Sequence, residues 1–407
     1  MCHSDQARLF QTSVHGAAVA RGVRDAPVCT DCHGEHATVK PATRTIRKTC
    51  SRCHADVQLT AKFDLPPDRV VSYEASFHGL AAKAGSQTVA NCGSCHGIHQ
   101  ILPSSDPASS IHPANLPATC GSCHPGAGRR FSLGPVHVVE GRSEAPVVRV
   151  VRNSYIGVII LVIGLMLLHN AGDWVRKAGR RTSPPPAIPA EVRMFPAERV
   201  QHGLLVVSFV VLAWTGFALK YPDQFWARPL VAWESSWPVR GAVHRVAAGV
   251  FLATAALHVV SLLASARLRG HWTSLAPRYS DLREGLAAFA YNLGFRREKP
   301  SLPRHSYIEK AEYWAVVWGA AIMSATGIIL WANTFFLTWL PKTAMDLATV
   351  IHFYEAVLAT LAIVVWHFYF VIFDPDVYPM DMAWLNGYSR RGRVGSGSQG
   401  EESDGGT

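Results

Sequence analysis

Residues 1–150 contain little aliphatic sequence, and residues 151–407 contain no cysteine. The first shortage excludes a large aliphatic core for the N-terminal part, which is rich in glycine, proline and serine instead. The second part lacks charged residues over five long stretches, as expected of a chain in contact with lipid. The composition therefore divides the protein into two regions that need different surroundings.

All nine cysteines lie within the first 124 residues, and eight of them occur in four copies of Cys-x-x-Cys-His. In this pattern two thiols add to the porphyrin vinyl groups and the histidine ligates the iron, so each copy predicts a covalently bound c-type haem. A zinc knuckle or a redox dithiol explains a Cys-x-x-Cys pair, but neither explains a histidine after all four pairs. The attachment residues are Cys29, Cys32, His33, Cys50, Cys53, His54, Cys92, Cys95, His96, Cys120, Cys123 and His124.

The ninth cysteine, Cys2, is followed by His3 and has the form of the second half of a fifth copy. Residues 13–36 and 76–99 form one repeat with a period of 63 residues, which indicates duplication of a haem-pair module. We therefore expect the true start to lie upstream of Met1, with a signal peptide and a complete fifth haem site. The alternatives are a haem attached through one cysteine and no haem at Cys2.

Six further histidines of this region are candidate sixth ligands of the haem irons. Such a surplus predicts bis-histidine, low-spin haems, which have no open position for substrate and serve electron transfer. The placement repeats, because His15 and His78 each precede a cysteine by 14 residues. The candidates are His15, His36, His78, His99, His112 and His137.

Five stretches of the second region are long enough for a membrane-spanning helix of about 20 residues. They are residues 153–172, 200–219, 246–266, 313–341 and 347–373, and Glu355 is the only charged residue within them. Basic residues concentrate in the loops after the first and third stretches, which the positive-inside rule assigns to the cytoplasm. The excess of Lys and Arg over Asp and Glu, 39 against 29, is thus a topology signal rather than a sign of nucleic-acid binding.

This orientation puts the cysteine-rich region outside the cytoplasm, which thioether attachment also requires. We expect a multi-pass protein of the bacterial inner membrane with its haem c region in the periplasm. Its cysteines are not expected to form disulfides, because haems use every complete pair.

Histidines mark the ends of the later spans, where ionisable residues indicate function. His244 and His258 are 14 residues apart and His352 and His367 are 15 apart, a separation of about 21 Å along a helix. That distance suits two haems b, one near each membrane surface. The topology puts His244 and His352 at the outer haem, whereas His367 at the inner haem has two candidate partners, His202 and His258.

Several motifs resemble the four-helix cytochrome b family (cytochrome b561-like), which includes formate dehydrogenase gamma subunits, hydrogenase b subunits and thiosulfate reductase cytochromes. They are residues 198–202, 214–216, 309–314, 326–331, 352–369 and 382–387, within a match over about 195–388. The resemblance implies that first-helix and fourth-helix histidines hold the inner haem, which favours His202 with His367. His258 is then the alternative ligand, a quinone-site residue or a packed interhelical histidine.

Three arginines and one carboxylate are further candidate site residues. Arg199, Arg240 and Arg245 lie near the predicted ligands and are either haem propionate partners or snorkelling residues at helix ends. Glu355, one turn after His352, is either the proton acceptor of a quinol site or a structural hydrogen-bonding group.

The predicted fold is a multihaem cytochrome c domain of short helices followed by an all-α membrane domain of five spanning helices. The expected boundaries are 1–145 for the haem c domain, 146–175 for a linker helix, 176–194 for a proline-rich cytoplasmic linker, 195–388 for the dihaem cytochrome b bundle and 389–407 for a disordered tail.

The whole resembles the multihaem quinol oxidases of extracellular or metal respiration. This resemblance implies quinol oxidation at the haem b domain and transfer through the c haems to a periplasmic or outer-membrane cytochrome. One alternative is the reverse flow, from a periplasmic dehydrogenase or hydrogenase to quinone. Another is a terminal reductase with a membrane anchor, which would need a haem with an open position. The expected partners are the quinone pool and the lipid bilayer.

Overall fold

The computed structural model describes residues 3–35, 43–129, 132, 136–139, 141, 143–179, 191–234, 238–303 and 305–389. Cys2, His36, the proline-rich linker and the predicted tail after 389 lie outside these residues. The chain divides into two compact units. The first unit comprises residues 1–152, 211–246 and 326–350, and the second comprises residues 153–210, 247–325 and 351–407.

Short helices build the cysteine-rich region, as the sequence predicts. Each is too short to be stable alone, so packing and caps must hold it in place. The described helices are α1 Ser4–Gln11, α2 Val14–Ala20, α3 Cys29–His33, α4 Thr43–His54, α5 Val57–Lys62, α6 Arg69–Ala75, α7 Phe77–Lys83, α8 Cys92–His96 and α9 Leu116–Gly121.

The two copies of the repeat begin with the same cap. The Ser13 hydroxyl accepts a hydrogen bond from the Gly16 amide at 3.0 Å, and the Ser76 hydroxyl accepts one from Gly79 at 3.2 Å. A Cβ at Gly16 would lie 2.1 Å from the carbonyl oxygen of Phe10, so the preceding helix end packs directly against the glycine. The equivalent Cβ at Gly79 would lie 2.0 Å from a carbonyl oxygen. These close contacts fix the histidine that precedes each glycine.

Glycine also ends two of the haem-attachment helices. Gly34 after α3 and Gly97 after α8 have φ values of +82° and +77°, which side chains with a Cβ rarely adopt. The chain therefore leaves each helix immediately after the histidine of the attachment motif. Asn91 caps α8 by accepting a hydrogen bond from the Ser94 amide at 3.2 Å.

Five helices are long and apolar enough to cross a membrane, which confirms the predicted number of spans. The five are α10 Pro146–Ala178, α11 Pro196–Lys220, α13 Val239–Ala264, α16 Tyr307–Trp331 and α18 Lys342–Ala362, which continues through π-helical turns at Ile363–His367 and Tyr369–Phe373.

Two of these helices differ from the predicted stretches at their ends. Helix α10 begins before residue 153 because Arg152 is buried against Glu144, with guanidinium-to-carboxylate distances of 2.8 and 3.1 Å. Helix α16 starts at Tyr307, where the Glu309 carboxylate accepts hydrogen bonds from the amide and hydroxyl of Ser306. Residues 332–341 are apolar but do not continue α16. Both helices thus begin before their charge-free stretches, α10 with an ion pair and α16 with capping hydrogen bonds near the start.

Shorter elements connect the spans. Strands β1 Glu191–Val192 and β2 Tyr388–Ser389 pair in antiparallel register and join the two ends of the predicted haem b domain. Apart from these strands, the elements within the described residues are helical, as the predicted fold class requires. The remaining elements are α12 Arg228–Val231, α14 Ala266–Thr273, α15 Tyr279–Asn292, α17 Asn333–Phe336 and α19 Ala383–Asn386.

Candidate haem sites

Each of the four attachment histidines of the cysteine-rich region faces one distal histidine. A metal–nitrogen bond of about 2 Å, with the ring centroid about 1 Å beyond the nitrogen, puts two trans imidazole centroids about 6 Å apart. The four observed separations match this value closely enough to seat an iron between the rings. They are 6.1 Å for His15 with His54, 6.1 Å for His33 with His99, 6.2 Å for His78 with His124, and 6.3 Å for His96 with His137.

The pairing of attachment and distal histidines is partly the same in the two copies of the sequence repeat. His15 and His78, which are equivalent in the two copies, each face the histidine of the second attachment motif downstream, His54 and His124. His112 is not in any of the four pairs, and its Nδ1 accepts a hydrogen bond from the Ala114 amide at 3.2 Å. His3 immediately precedes α1 and is exposed, while Cys2 and His36 lie outside the described residues.

Burial keeps most of these rings neutral. It lowers the pKa values of six of the paired imidazoles, because the charged form loses its hydration. A neutral ring offers the nitrogen lone pair that an iron needs. The six are His15, His54, His78, His96, His124 and His137.

His137 has an orienting partner that the sequence did not reveal. The Ser72 hydroxyl lies 2.9 Å from its Nδ1, and Ser72 is buried. Because that hydroxyl also donates to the Arg69 carbonyl at 2.9 Å, it accepts from the imidazole N–H. The hydrogen bond leaves the lone pair on Nε2 and fixes the ring plane, as outer hydrogen bonds to metal-ligating histidines commonly do.

In the second unit, His202 and His367 form a pair with the same spacing, 6.3 Å between ring centroids. His367 lies on the π-helical turn after α18, and its Nδ1 is 3.3 Å from the Glu312 carboxylate. The Nδ1 of His202 is buried and, within the described part of the chain, has no hydrogen-bond partner. The two rings fit a haem b.

His258 is engaged differently. Its Nδ1 lies 3.1 Å from the Gln201 amide oxygen, and its Nε2 lies 2.9 Å from the Tyr313 hydroxyl. Both nitrogens are thus hydrogen-bonded between helices, as a packed interhelical histidine would be. The geometry favours His202 over His258 as the partner of His367.

The predicted outer pair, His244 and His352, falls on different units, so this pairing stays a prediction. In the first unit, the Thr215 hydroxyl lies 2.7 Å from the His244 Nδ1 and donates to the Val211 carbonyl at 2.6 Å. It therefore accepts from Nδ1–H, and Nε2 carries the lone pair that an iron would use. His352 is half-buried on α18.

The three predicted arginines differ in their surroundings. Arg240 is buried and donates to the Thr215 carbonyl at 3.3 Å, and Arg199 donates to the Leu385 carbonyl at 2.5 Å. The Nε of each is buried with no hydrogen-bond partner among the described residues, as expected of a group that pairs with a propionate. Arg245 is exposed and lacks this feature.

Glu355 is buried, and Tyr155 on α10 is close enough to interact electrostatically with its carboxylate. Gly319 leaves room beside it, because a Cβ there would lie 3.3 Å from a Glu355 carboxylate oxygen. Tyr155 is on α10, which precedes the haem b bundle, so no motif of that bundle could have identified it.

A buried histidine on α10, His169, was also missed. Its Nε2 lies 2.8 Å from the Tyr307 hydroxyl, and its ring centroid lies 5.0 Å from that of Trp366. The signal was present, since an ionisable residue in the first charge-free stretch carries the same weight as those in later spans. About two turns further along α10, Lys177 bridges Asp173 at 2.7 Å and Asp374 at 2.8 Å.

Two family models match the chain. Residues 193–378 match the model for prokaryotic cytochrome b561, and residues 23–125 match the model for cytochrome c3. Comparison of the chain with curated proteins and with solved structures gives no match. These families imply haem b and haem c as cofactors. The chain is therefore a multi-pass, membrane-bound electron-transfer protein in which a multihaem c-type cytochrome domain is fused to a b-type domain of the cytochrome b561 kind.

Proposed function

We propose that this protein oxidises quinol in the membrane and transfers the electrons through two haems b and at least four haems c to an acceptor in the periplasm. The supporting observation is that five histidine pairs share one spacing, 6.1–6.3 Å between ring centroids. An iron held by both histidines of such a pair would have no open position for substrate, which suits electron transfer and disfavours a terminal reductase. When bound, the haems supply one-electron redox chemistry.

The proposed quinol site uses Glu355. Oxidation of a quinol to a quinone releases two electrons and two protons, one proton with each electron. The buried Glu355 carboxylate accepts each proton in turn and passes it to water before the next arrives. Tyr155 is close enough to interact electrostatically with the carboxylate. The Glu355 carboxylate is buried, and a positioned carboxylate can serve as the general base in a proton-transfer step of this kind.

The proposed orientation has the c-type domain outside the cytoplasm and the basic loops inside. Thioether attachment and the distribution of Lys and Arg support it independently. With His244 and His352 at the outer haem b, Glu355 lies one turn from a predicted ligand of that haem.

The experiment compares Glu355→Gln with Glu298→Gln, a control at an exposed position in a basic loop. Detergent-solubilised protein is mixed with a reduced menaquinone analogue, and haem reduction is followed by stopped-flow absorbance. We expect Glu355→Gln to slow quinol-driven reduction by about 10²-fold, in the range lost when a general base is removed, and Glu298→Gln to leave it unchanged. Dithionite should reduce all variants equally. An unchanged rate in Glu355→Gln would remove the proton-accepting role.

A further inference from the structure

The four attachment motifs of the c-type domain contact one another in chain order. The first and second are joined by the Arg52 guanidinium, which donates to the Asp31 carbonyl. The second and third meet where α8 packs against α4, because a Cβ at Gly93 of the third motif would lie 3.5 Å from Cγ2 of Ile46 on the helix that ends in the second motif. These contacts join each motif to its neighbours in the sequence.

The third and fourth motifs are joined through one serine. The Ser110 hydroxyl donates to the Cys95 carbonyl at 2.6 Å. The Ser110 carbonyl in turn accepts from the Thr119 hydroxyl at 2.7 Å, and Thr119 directly precedes Cys120. The four motifs thus form a single file that ends at residues 120–124.

The end of this file meets a loop of the membrane domain within the first unit. The turn after the fourth motif is closed by the Ala127 amide, which donates to the His124 carbonyl at 2.9 Å. Gly126 in that turn has a φ of +87°, and a Cβ there would lie 2.8 Å from Cγ2 of Thr338. Thr338 follows α17, in the segment between the fourth and fifth spans, and its neighbour Leu337 is buried.

We propose that the turn 124–127 and Thr338 form the electron-transfer junction between the two domains, and that the fourth motif is the first of a single file running to the first motif. Electron tunnelling weakens steeply with distance, so the file order sets the order of transfer. The closeness of Gly126 and Thr338 is what holds the fourth motif against the membrane domain. This inference deepens the proposed function and rests on its transfer from b-type to c-type haems.

The test adds one methyl group at the contact. Gly126→Ala must push against Thr338, whereas Gly22→Ala is the matched control, because Gly22 has a φ of +77° and nothing within 4 Å of its would-be Cβ. Thr338→Ser removes Cγ2 but keeps the hydroxyl that donates to the Phe335 carbonyl at 2.7 Å, so it should rescue Gly126→Ala.

Two readouts are taken on the whole protein. Hydrogen exchange of the amides in 332–346, measured by mass spectrometry without quinol, should be faster in Gly126→Ala and normal in Gly22→Ala and in the rescued double variant. Stopped-flow with reduced menaquinone analogue should show normal b-type reduction in Gly126→Ala and c-type reduction slowed by about tenfold, as displacement of well-positioned redox partners predicts.

The inference is overturned if c-type reduction keeps its normal rate while exchange in 332–346 changes. It is also overturned if Gly22→Ala slows c-type reduction as much as Gly126→Ala does. Failure of the proposed function has a different signature, because in that case quinol leaves the b-type haems of the unaltered protein oxidised. The hydrogen-exchange measurement, which needs no quinol, would still show in that case whether Gly126 contacts Thr338.

Discussion

The c-type domain and the membrane domain hold histidine pairs of equal spacing by different means. His15 and His54 are 6.1 Å apart on short helices whose haem is predicted to be covalently attached, whereas His202 and His367 are 6.3 Å apart on long helices with no cysteine nearby. In the first domain the protein chain is arranged around its cofactors. In the second, helices that form in lipid bring the ligands together. Substitutions should therefore affect the histidine pairs of the two domains differently, although the pairs have the same spacing.

Removal of one candidate haem ligand should produce the largest difference in behaviour between the two domains. We expect His202→Ala to release the inner haem b, because no covalent bond retains it. His15→Ala should keep its haem through the thioether bonds but turn it from low-spin to high-spin. Pyridine haemochrome assays count b-type and c-type haem, and electron paramagnetic resonance reports the spin state.

His258→Ala serves as the control for His202→Ala. Because both nitrogens of His258 are hydrogen-bonded to protein groups, its loss should leave the haem b content unchanged. Loss of haem b in His258→Ala with retention in His202→Ala would show that the ligand assignment is wrong.

The next effect concerns buried charge. Lys177→Met leaves Asp173 and Asp374 without their cation in the membrane domain, and removal of one partner from a buried ion cluster costs about 3–5 kcal/mol. The c-type counterpart Lys62→Met breaks an exposed pair with Asp25, which should cost less than about 1 kcal/mol. Thermal unfolding followed by proteolysis of each domain measures both. Equal losses in the two domains would contradict the comparison.

Glycine-to-alanine substitutions should destabilise the c-type domain more than the membrane domain, which is the opposite of the order expected for the lysine substitutions. Gly16→Ala forces a Cβ into the Phe10 carbonyl, and such overpacking costs about 1–3 kcal/mol in the c-type domain. Gly157→Ala and Gly203→Ala lie on spanning helices with nothing within 4 Å of the added Cβ, so they should be neutral or gain up to about 1 kcal/mol. Protease susceptibility on heating compares them, and a destabilised Gly157→Ala would be the unexpected outcome.

The smallest effects should come from the groups that orient ligands. Thr215→Val removes the acceptor for the His244 imidazole, and Ser72→Ala removes the acceptor for His137. Each loss makes the imidazole a weaker electron donor, so the midpoint potential of the corresponding haem should rise slightly. Redox titration followed in the b-type and c-type absorption bands assigns each shift to its domain. A shift of the b-type midpoint potential in Ser72→Ala would contradict the placement of Ser72 beside a ligand of a c-type haem.

The sequence predicted the number of spans and the joining of c-type and b-type domains, because the attachment pattern and the charge-free stretches are local signals. It could not predict the distal pairing in the c-type domain, where partners such as His33 and His99 are 66 residues apart with no helical periodicity between them. The sequence did not predict the helix ends either, since the buried pairing of Arg152 with Glu144 inside α10 depends on tertiary contacts. The sequence-based site prediction did not include Tyr155 and His169, because it relied on the family motifs and α10 lies outside them.

The most direct test of the account is stopped-flow reduction of the unaltered protein by a reduced menaquinone analogue, followed at the b-type and c-type absorption maxima. The account predicts that the b-type band develops first and that the c-type band follows at its expense until all haem is reduced. A c-type band that stays oxidised while the b-type haems are fully reduced would contradict the account.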